Sequence, residues 1–471
     1  MHNPRRYEQA PAPGQDERAR VRPNGLTSRS ATGVALFAPA LLLAMTGTMT
    51  GAGCSTDNGF MAGATGGAGV GSGGAGVGSG GAGVGGAGGF TPPPAPACDP
   101  TASTLGKITA PSPLISVGKT IMGSAGVTGL ANAVDGKYAH TGAVIPAAML
   151  PGWIAIQLVG ATTTTPPTRV LLQWTDVGYS DYNKPADGGS PVDYTIETSA
   201  DSTDGAGGTW TTATTVGGTP LAITANPVRN RAHSFDFTGK TWVRMRVTKA
   251  QQKMNAAGML ADTDVRLDEI AVYDISAAGP TGRPADSWFF MGDSITAGGF
   301  QRNRPMNFDE LITAAHPGYT PIIVTGGIGG ELSTNGVTHI DMDKWLELNP
   351  DIQHVAILYG TNDEWGDKTP ASTPYQMNMM KIVQAVMASG RTPILGRIPF
   401  ASATPAHTTI PAFNDVVDGL STANALPCGP DFYAWFYGHR DQLSDDGVHP
   451  SPTGYGSLNK VWADMASGLY P

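Results

Sequence analysis

The stretch Phe290-Met291-Gly292-Asp293-Ser294-Ile295-Thr296-Ala297-Gly298-Gly299 joins an apolar strand to a serine at a turn. An apolar run that ends at glycine and passes through Asp-Ser exposes the hydroxyl at a sheet edge, near a helix N-terminus. It is not the G-x-S-x-G elbow, because Thr296 stands where the second glycine would be and the serine follows the first strand of its domain. Taken alone, Asp-Ser after a strand reads as a helix cap before it reads as a nucleophile. A serine hydroxyl is a weak nucleophile until a base takes its proton, so the chemistry depends on what else reaches that edge.

Strand and helix patterns alternate from residue 284 to 471. Strands are predicted at Trp288–Met291, Pro321–Thr325, His354–Tyr359, Pro393–Ile398 and Phe432–Trp435. Helices are predicted near Asn307–Ala315, Met342–Leu348, Pro374–Ala388, Pro411–Leu420 and Thr453–Leu469. That order predicts an α/β domain whose parallel sheet is covered on both faces, with functional groups in the loops beyond the strand C-termini. Two such loops follow successive strands. In Thr325-Gly326-Gly327-Ile328-Gly329-Gly330-Glu331, glycines let a backbone N–H approach a ligand closely. In Tyr359-Gly360-Thr361-Asn362-Asp363, Asn362 can offer its side-chain NH₂. Near the end stands Asp446-Gly447-Val448-His449-Pro450. There Asp446 can reach Nδ1 of His449 and leave Nε2 to face the serine, although a surface turn explains the same spacing. The same D-x-x-H spacing recurs at Asp351 and His354, where a strand begins, and is read as structural.

In this order the blocks GDSIT, GGIGGE, GTND and DGVH resemble the SGNH hydrolases, also called GDSL-type esterases, across the whole C-terminal domain. The resemblance implies a three-layer α/β/α flavodoxin-like fold with Ser294 as nucleophile, His449 as base and Asp446 as its orienter. It also implies an oxyanion hole built from the Ser294 N–H, Gly330 and Asn362, and an esterase that needs no cofactor for catalysis. Thr325 departs from the Asn often found in the second block, which bears on loop detail. Lipase, lysophospholipase and thioesterase activities belong to the same family and stay open. A glycan-binding surface protein with a non-catalytic hydrolase scaffold is a further reading, which the presence of Ser, His and Asp disfavours. Trp365, Arg397 and Phe400 fall on loops near the expected cleft, where they suit either a sugar ring or a packed rim.

From 103 to 278 short apolar runs rich in Val, Ile, Thr and Trp alternate with Gly, Pro, Asn and Asp, an all-β pattern. Strands are predicted at Trp153–Val159, Arg169–Trp174, Val192–Thr198, Trp210–Val216, Arg231–Phe237, Trp242–Val247 and Val265–Tyr273, which suggests a β-sandwich. Ala133-Val134-Asp135-Gly136 and Leu267-Asp268-Glu269-Ile270-Ala271-Val272-Tyr273 resemble the discoidin, or galactose-binding-like, jelly roll. By that resemblance Asp135 and Glu269 hold a structural calcium ion with backbone carbonyls, or are surface carboxylates without metal. A jelly roll fused to an SGNH domain is similar in layout to several carbohydrate esterases. The substrate expected is therefore an acetylated polysaccharide that loses its O-acetyl groups.

The first 54 residues read as an export signal: Val34–Met45 is an apolar run of signal length, with Arg20, Arg22 and Arg29 before it. Gly51-Ala52-Gly53-Cys54 resembles a bacterial lipobox, with Gly51 where Leu is usual, so Cys54 is a lipidation candidate beside plain secretory cleavage. The protein is expected outside the cytoplasm, as an outer-membrane or cell-surface lipoprotein or in secreted form. Residues 55–102 read as a disordered tether: between Gly66 and Gly89 the seven-residue repeat GGAGVGS has no large apolar side chain to bury. Cys54, Cys98 and Cys428 are too far apart for a zinc ribbon, and Cys98 with Cys428 is the pair considered for a disulfide. A net charge of −9 leaves no broad basic face for nucleic acid.

Overall fold

The computed structural model describes residues 107–138, 142–161, 163–177, 189–301, 306–366, 368–403 and 407–471. The export segment, Cys54, the tether and Cys98 lie outside the described residues. Strands in the first half are β1 (Ile121–Gly123), β2 (Ala143–Ile145), β3 (Gly152–Gln157), β4 (Arg169–Asp176), β5 (Pro191–Ser199), β6 (Thr211–Thr212), β7 (Ala222–Ile223), β8 (Asn230–Asp236), β9 (Trp242–Ala250), β10 (Gln252–Met254), β11 (Leu260–Asp262) and β12 (Val265–Asp274). One antiparallel sheet runs β1-β3-β9-β5-β6, with β7 also on β5, and a second runs β2-β12-β4-β8. Their inward side chains, among them Ile154 and Met245 from one sheet and Leu172, Trp174 and Val272 from the other, share one core. The strand expected at Trp210–Val216 shrinks to Thr211–Thr212, both exposed, because Thr-rich sequence there has little to bury.

The second half holds β13 (Ser287–Gly292), β14 (Ile322–Gly327), β15 (His354–Leu358) and β16 (Thr392–Leu395). These four strands make a parallel sheet in the order β14-β13-β15-β16. Its helices are α1 (Ser294–Gly299), α2 (Phe308–Ala315), α3 (Ser333–Asp341), α4 (Trp345–Leu348), α5 (Thr361–Glu364), α6 (Tyr375–Ala388), α7 (Ile410–Ala423), α8 (Phe432–Gly438) and α9 (Pro452–Ser467). Strand pleating sends alternate side chains to opposite faces. Phe289 and Met291 join a core with α6 and α7, while Trp288 and Phe290 join another with α2, α8 and α9. The sheet is therefore covered on both sides.

The fifth strand expected at Phe432–Trp435 is helix α8 instead. Asp431 makes a single parallel bridge to Arg397 and then caps the helix by accepting from the Ala434 N–H at 2.9 Å. Phe432 and Phe436, four residues apart, bury on one helical face. Tertiary packing thus overrides the strand propensity of an aromatic run.

The two halves share a core: Leu171, Ala232, Ala271 and Tyr273 of the β-rich half cluster with Ile322, Val324 and Trp345 of the α/β half. The contact covers β14, an edge strand that would otherwise expose a row of backbone donors and acceptors. Asn230 of β8 pairs with it as a neighbouring strand would. Its Nδ2 donates to Thr325 O at 3.0 Å and to Thr325 Oγ1 at 2.9 Å, and its Oδ1 accepts from the Thr325 N–H at 3.2 Å. Thr325, the residue that departs from the usual second block, is thereby the docking point of the upstream half. Asp351 extends the seam, pairing with Arg169 at 3.3 Å and accepting from Ser234 Oγ at 2.6 Å. Arg283 in the connection donates to the carbonyls of Pro350, Ser389 and Gly390. Cys428 is disulfide-bonded.

Asp286, just before β13, is fully buried and accepts from Trp288 Nε1 at 3.0 Å and Tyr470 Oη at 2.6 Å. Burial pushes its carboxyl up to about 6; the two hydrogen bonds pull the other way and Asp309 adds repulsion. A raised carboxyl binds its proton more tightly folded than unfolded, so the contribution of Asp286 to stability is largest below about pH 4 and is lost as pH rises through about 6. Asp286→Asn is expected to remove that slope and to gain on the order of 2 kcal/mol over the wild type at pH 8, with little difference at pH 4. Urea unfolding at the two pH values reads this directly.

Candidate functional site

Ser294 is the first residue of α1, at the C-terminal end of β13. Asp293 caps the helix by accepting from the Ile295 N–H at 2.9 Å. A helix this short at a strand end needs close packing, and glycine provides it. A Cβ on Gly292 would sit 2.2 Å from Thr296 Oγ1 and 2.4 Å from Leu358 O, and one on Gly298 would meet the Tyr455 ring at 2.4 Å. Tyr455 belongs to α9, and Asn459 of the same helix donates to Gly299 O at 2.9 Å. This contact draws α9, and the loop before it, against α1.

That loop carries Asp446 and His449. His449 Nδ1 lies 2.6 Å from Asp446 Oδ2, and His449 Nε2 lies 2.8 Å from Ser294 Oγ. The other carboxylate oxygen, Asp446 Oδ1, accepts from Ser444 Oγ and from the N–H groups of Val448 and His449 at 2.7, 2.8 and 2.9 Å. Partial burial opposes the charge on Asp446. The hydrogen bond from His449 and the three others outweigh it and hold the carboxyl well below the usual range. An ionised carboxylate only accepts, so Nδ1 carries the proton and Nε2 is left to accept from the serine hydroxyl. Gly447 shapes the turn: its φ is +67°, and a Cβ there would press within 2.8 Å of the Ala403 N.

Donors arrive from the neighbouring strands. As the first residue of α1, Ser294 has an N–H with no intrahelical acceptor. Gly330, at φ +78° after β14, has an N–H that makes no hydrogen bond among the described residues. Asn362 is the second residue of α5, after β15, and its Nδ2 donates to Glu331 O at 2.8 Å, which leaves the second amide hydrogen for a ligand. Gly360 lets the chain turn there, at φ +133° with a Cβ position only 2.3 Å from Ile398 Cδ1. The two donor loops are tied a second time, since Asp363 accepts from the Ser333 hydroxyl at 2.6 Å and from its N–H at 2.9 Å. Glu331, Ser333 and Asp363 were not singled out as site residues, although two of them lie inside the quoted blocks.

Asp293 is buried beneath this edge. Burial pushes its carboxyl up to about 7, against the pull of the Ile295 N–H and of nearby His449, while Asp363 repels it further. Its titration near neutrality bears on the cap that fixes Ser294.

The remaining residues are placed differently. Trp365 ends α5 with 52% of its surface exposed and its ring edge-on to His407 at 4.9 Å. Arg397, expected on the cleft, is instead 3% exposed and pairs with Asp431 at 2.7 Å and Asp418 at 3.4 Å. A buried guanidinium must be paired, and this one is spent on holding α7 and α8 to the sheet end. Phe400 packs edge-on to Tyr433 and Tyr437 between the two cores, so it too is a packing residue. Asp135 is exposed, with Oδ1 accepting from the Lys137 N–H, and Glu269 is buried in β12 beside a register shift. Among the described residues no three His, Cys, Asp or Glu side chains gather as a metal site, so calcium there would depend on backbone carbonyls.

Residues 290–456 match the GDSL-like Lipase/Acylhydrolase family. No curated protein matches the chain closely enough to count as a relative. Solved structures similar to it include a lipase/acylhydrolase from Enterococcus faecalis, 23% identical over 39% of this chain and 95% of that one, with a TM-score of 0.33. Others are an acetyl xylan esterase from Geobacillus stearothermophilus, 20% identical over 40% and 96%, TM-score 0.33, and an α/β hydrolase enzyme from the metagenome of Lake Arreo, Spain, 17% identical over 40% and 97%, TM-score 0.33. The C-terminal region is thus a GDSL-type hydrolase domain. The protein is a carboxylic ester hydrolase.

Proposed function

We propose that the protein is an exported serine esterase that removes O-acetyl groups from a polysaccharide through an acyl-enzyme. The observation that carries the mechanism is the unbroken chain Asp446–His449–Ser294, at 2.6 and 2.8 Å, at the edge where Gly330 and Asn362 present donors. His449 takes the Ser294 proton through Nε2 as Oγ attacks the ester carbonyl. Asp446 holds the tautomer and stabilises the imidazolium. The Ser294 and Gly330 N–H groups and the Asn362 amide meet the developing oxyanion, each well-placed donor being worth about 3 kcal/mol in the transition state. The alcohol leaves with the proton from His449. Water, activated by the same base, then attacks the acyl-enzyme and releases the acid.

The carbohydrate part of the proposal is supported by Trp365, an exposed indole three residues beyond Asn362 that offers a flat face to a sugar ring. It is also supported by the β-rich half, which shares a core with the α/β half and which we read as a galactose-binding-like jelly roll. Export, with Cys54 as a lipid anchor, belongs to the same proposal.

The test is hydrolysis of p-nitrophenyl esters from acetate to palmitate, with Ser294→Ala alongside and acetylated xylan as competitor. Turnover confined to short acyl chains, lost in the variant and inhibited by the polymer is expected. A preference for long chains would instead assign a lipase or lysophospholipase, and no Ser294-dependent turnover would leave a glycan-binding role.

A further inference from the structure

A histidine outside the Ser294–His449–Asp446 chain is tied to the loop that carries Gly330. Glu331 directly follows Gly330, and its carbonyl is the acceptor that holds Asn362 Nδ2 at 2.8 Å. Its carboxylate faces His339 Nε2 at 2.8 and 2.9 Å. The other ring nitrogen of His339, Nδ1, lies 2.6 Å from Asp343 Oδ2. His339 sits on α3, 4% exposed, and its ring lies flat on Trp345 of α4, with centroids 3.8 Å and planes 4° apart. Trp345 is itself buried against Phe289 of β13. Ionised carboxylates offer only acceptors, so a hydrogen bond at each ring nitrogen puts a proton on both. The resulting imidazolium lies over an indole face, which attracts cations.

We propose that His339, as an imidazolium, is a positioning residue for the oxyanion donors: it clamps Glu331 and through it holds the Gly330 N–H and the Asn362 amide in register. The role rests on the esterase reading above. Burial disfavours the charge on His339, but the hydrogen bonds and charges of Glu331 and Asp343 outweigh it and raise its pKa above the ordinary histidine value. The groups that face it are Glu331 from the loop after β14, Asp343 from beyond the end of α3, and uncharged Trp345 from α4. On α6, which packs against α3, Asn378 donates to Ser333 and Thr334 at the start of α3. As pH rises past the raised pKa, one carboxylate loses its donor and the clamp on Glu331 loosens. The expected signature is a fall in kcat with KM nearly constant.

Two variants test this in the full-length protein. His339→Phe keeps a flat ring on Trp345 and removes both N–H donors. On p-nitrophenyl acetate its kcat should fall about tenfold and its KM change less than about twofold. Asp343 is 41% exposed, and Asp343→Asn keeps an acceptor for Nδ1 while removing one charge. The alkaline limb of its kcat profile should move to lower pH by about one unit. NMR titration of histidine-labelled protein should show the His339 resonance, identified by its absence from His339→Phe, shifted the same way. Asp293 keeps its surroundings in this variant, so any limb it causes stays in place. Unreduced kcat in His339→Phe, or superimposable profiles for Asp343→Asn and wild type, would overturn the clamp. So would a wild-type His339 resonance titrating at or below the ordinary histidine value, a readout that does not depend on turnover. Absence of any Ser294-dependent turnover would sink the esterase reading instead, and the titration alone would then decide whether His339 is held charged.

Discussion

Ser294→Ala is expected to lower kcat on p-nitrophenyl acetate by a factor on the order of 10⁵ or more, with no loss of folded protein. The helix start survives the change, because the cap on α1 comes from Asp293 and the close contacts to α9 come from Gly298 and Gly299. What disappears is the hydroxyl oxygen that lies 2.8 Å from His449 Nε2. Residual turnover by water, helped by the oxyanion donors, sets the floor. Retention of a tenth or more of wild-type kcat in a freshly purified variant would contradict Ser294 as the nucleophile.

Asn362→Ala is the second large effect, a loss of about 10² to 10³ in kcat, equivalent to about 3 to 4 kcal/mol, with KM little changed. One amide hydrogen of Asn362 is committed to Glu331 O, which aims the other, so truncation removes a donor that is already oriented. The interaction strengthens only as charge builds on the carbonyl oxygen, and the ground state hardly feels its loss. The backbone ties between the donor loops survive through Asp363 and Ser333, which limits the variant's effect on stability. Steady-state kinetics on the acetate ester, with thermal unfolding as the control, separates the two. A rise in KM at constant kcat would assign Asn362 to ground-state binding instead.

The parallel strands of the second half were legible because each is a short apolar run closed by glycine or a polar turn, and β13 to β16 start within a residue of their expected places. The four blocks were legible because their side chains act locally, at strand ends a few residues long. Helix α8 was not: Phe432–Phe436 has the composition of a strand, and only the cap at Asp431 and the burial of Phe432 with Phe436 decide for a helix. Helix α3 was missed because Ser333–Asp341 is polar and its N-terminus is satisfied by Asp363, thirty residues later in the chain. Arg397 was misplaced for a similar reason, since its partners Asp418 and Asp431 come from later elements. The docking of Asn230 on Thr325 spans ninety-five residues, and no local pattern signals it. Spacing did hold a trace of the His339 clamp, in Asp343 four residues on and Glu331 eight residues back, but a helix face with such charges reads as solvated until the burial of His339 is known.

The most direct test of a serine-based acyl-transfer centre is covalent trapping. The wild-type protein, Ser294→Ala and His449→Ala would be incubated with an activated alkyl phosphonate, then digested and read by mass spectrometry. A single adduct on the peptide containing Ser294, formed in step with loss of esterase activity, absent in Ser294→Ala and strongly slowed in His449→Ala, is the expected result. Inactivation with the adduct on another residue, or full esterase activity after Ser294 is quantitatively modified, would contradict it.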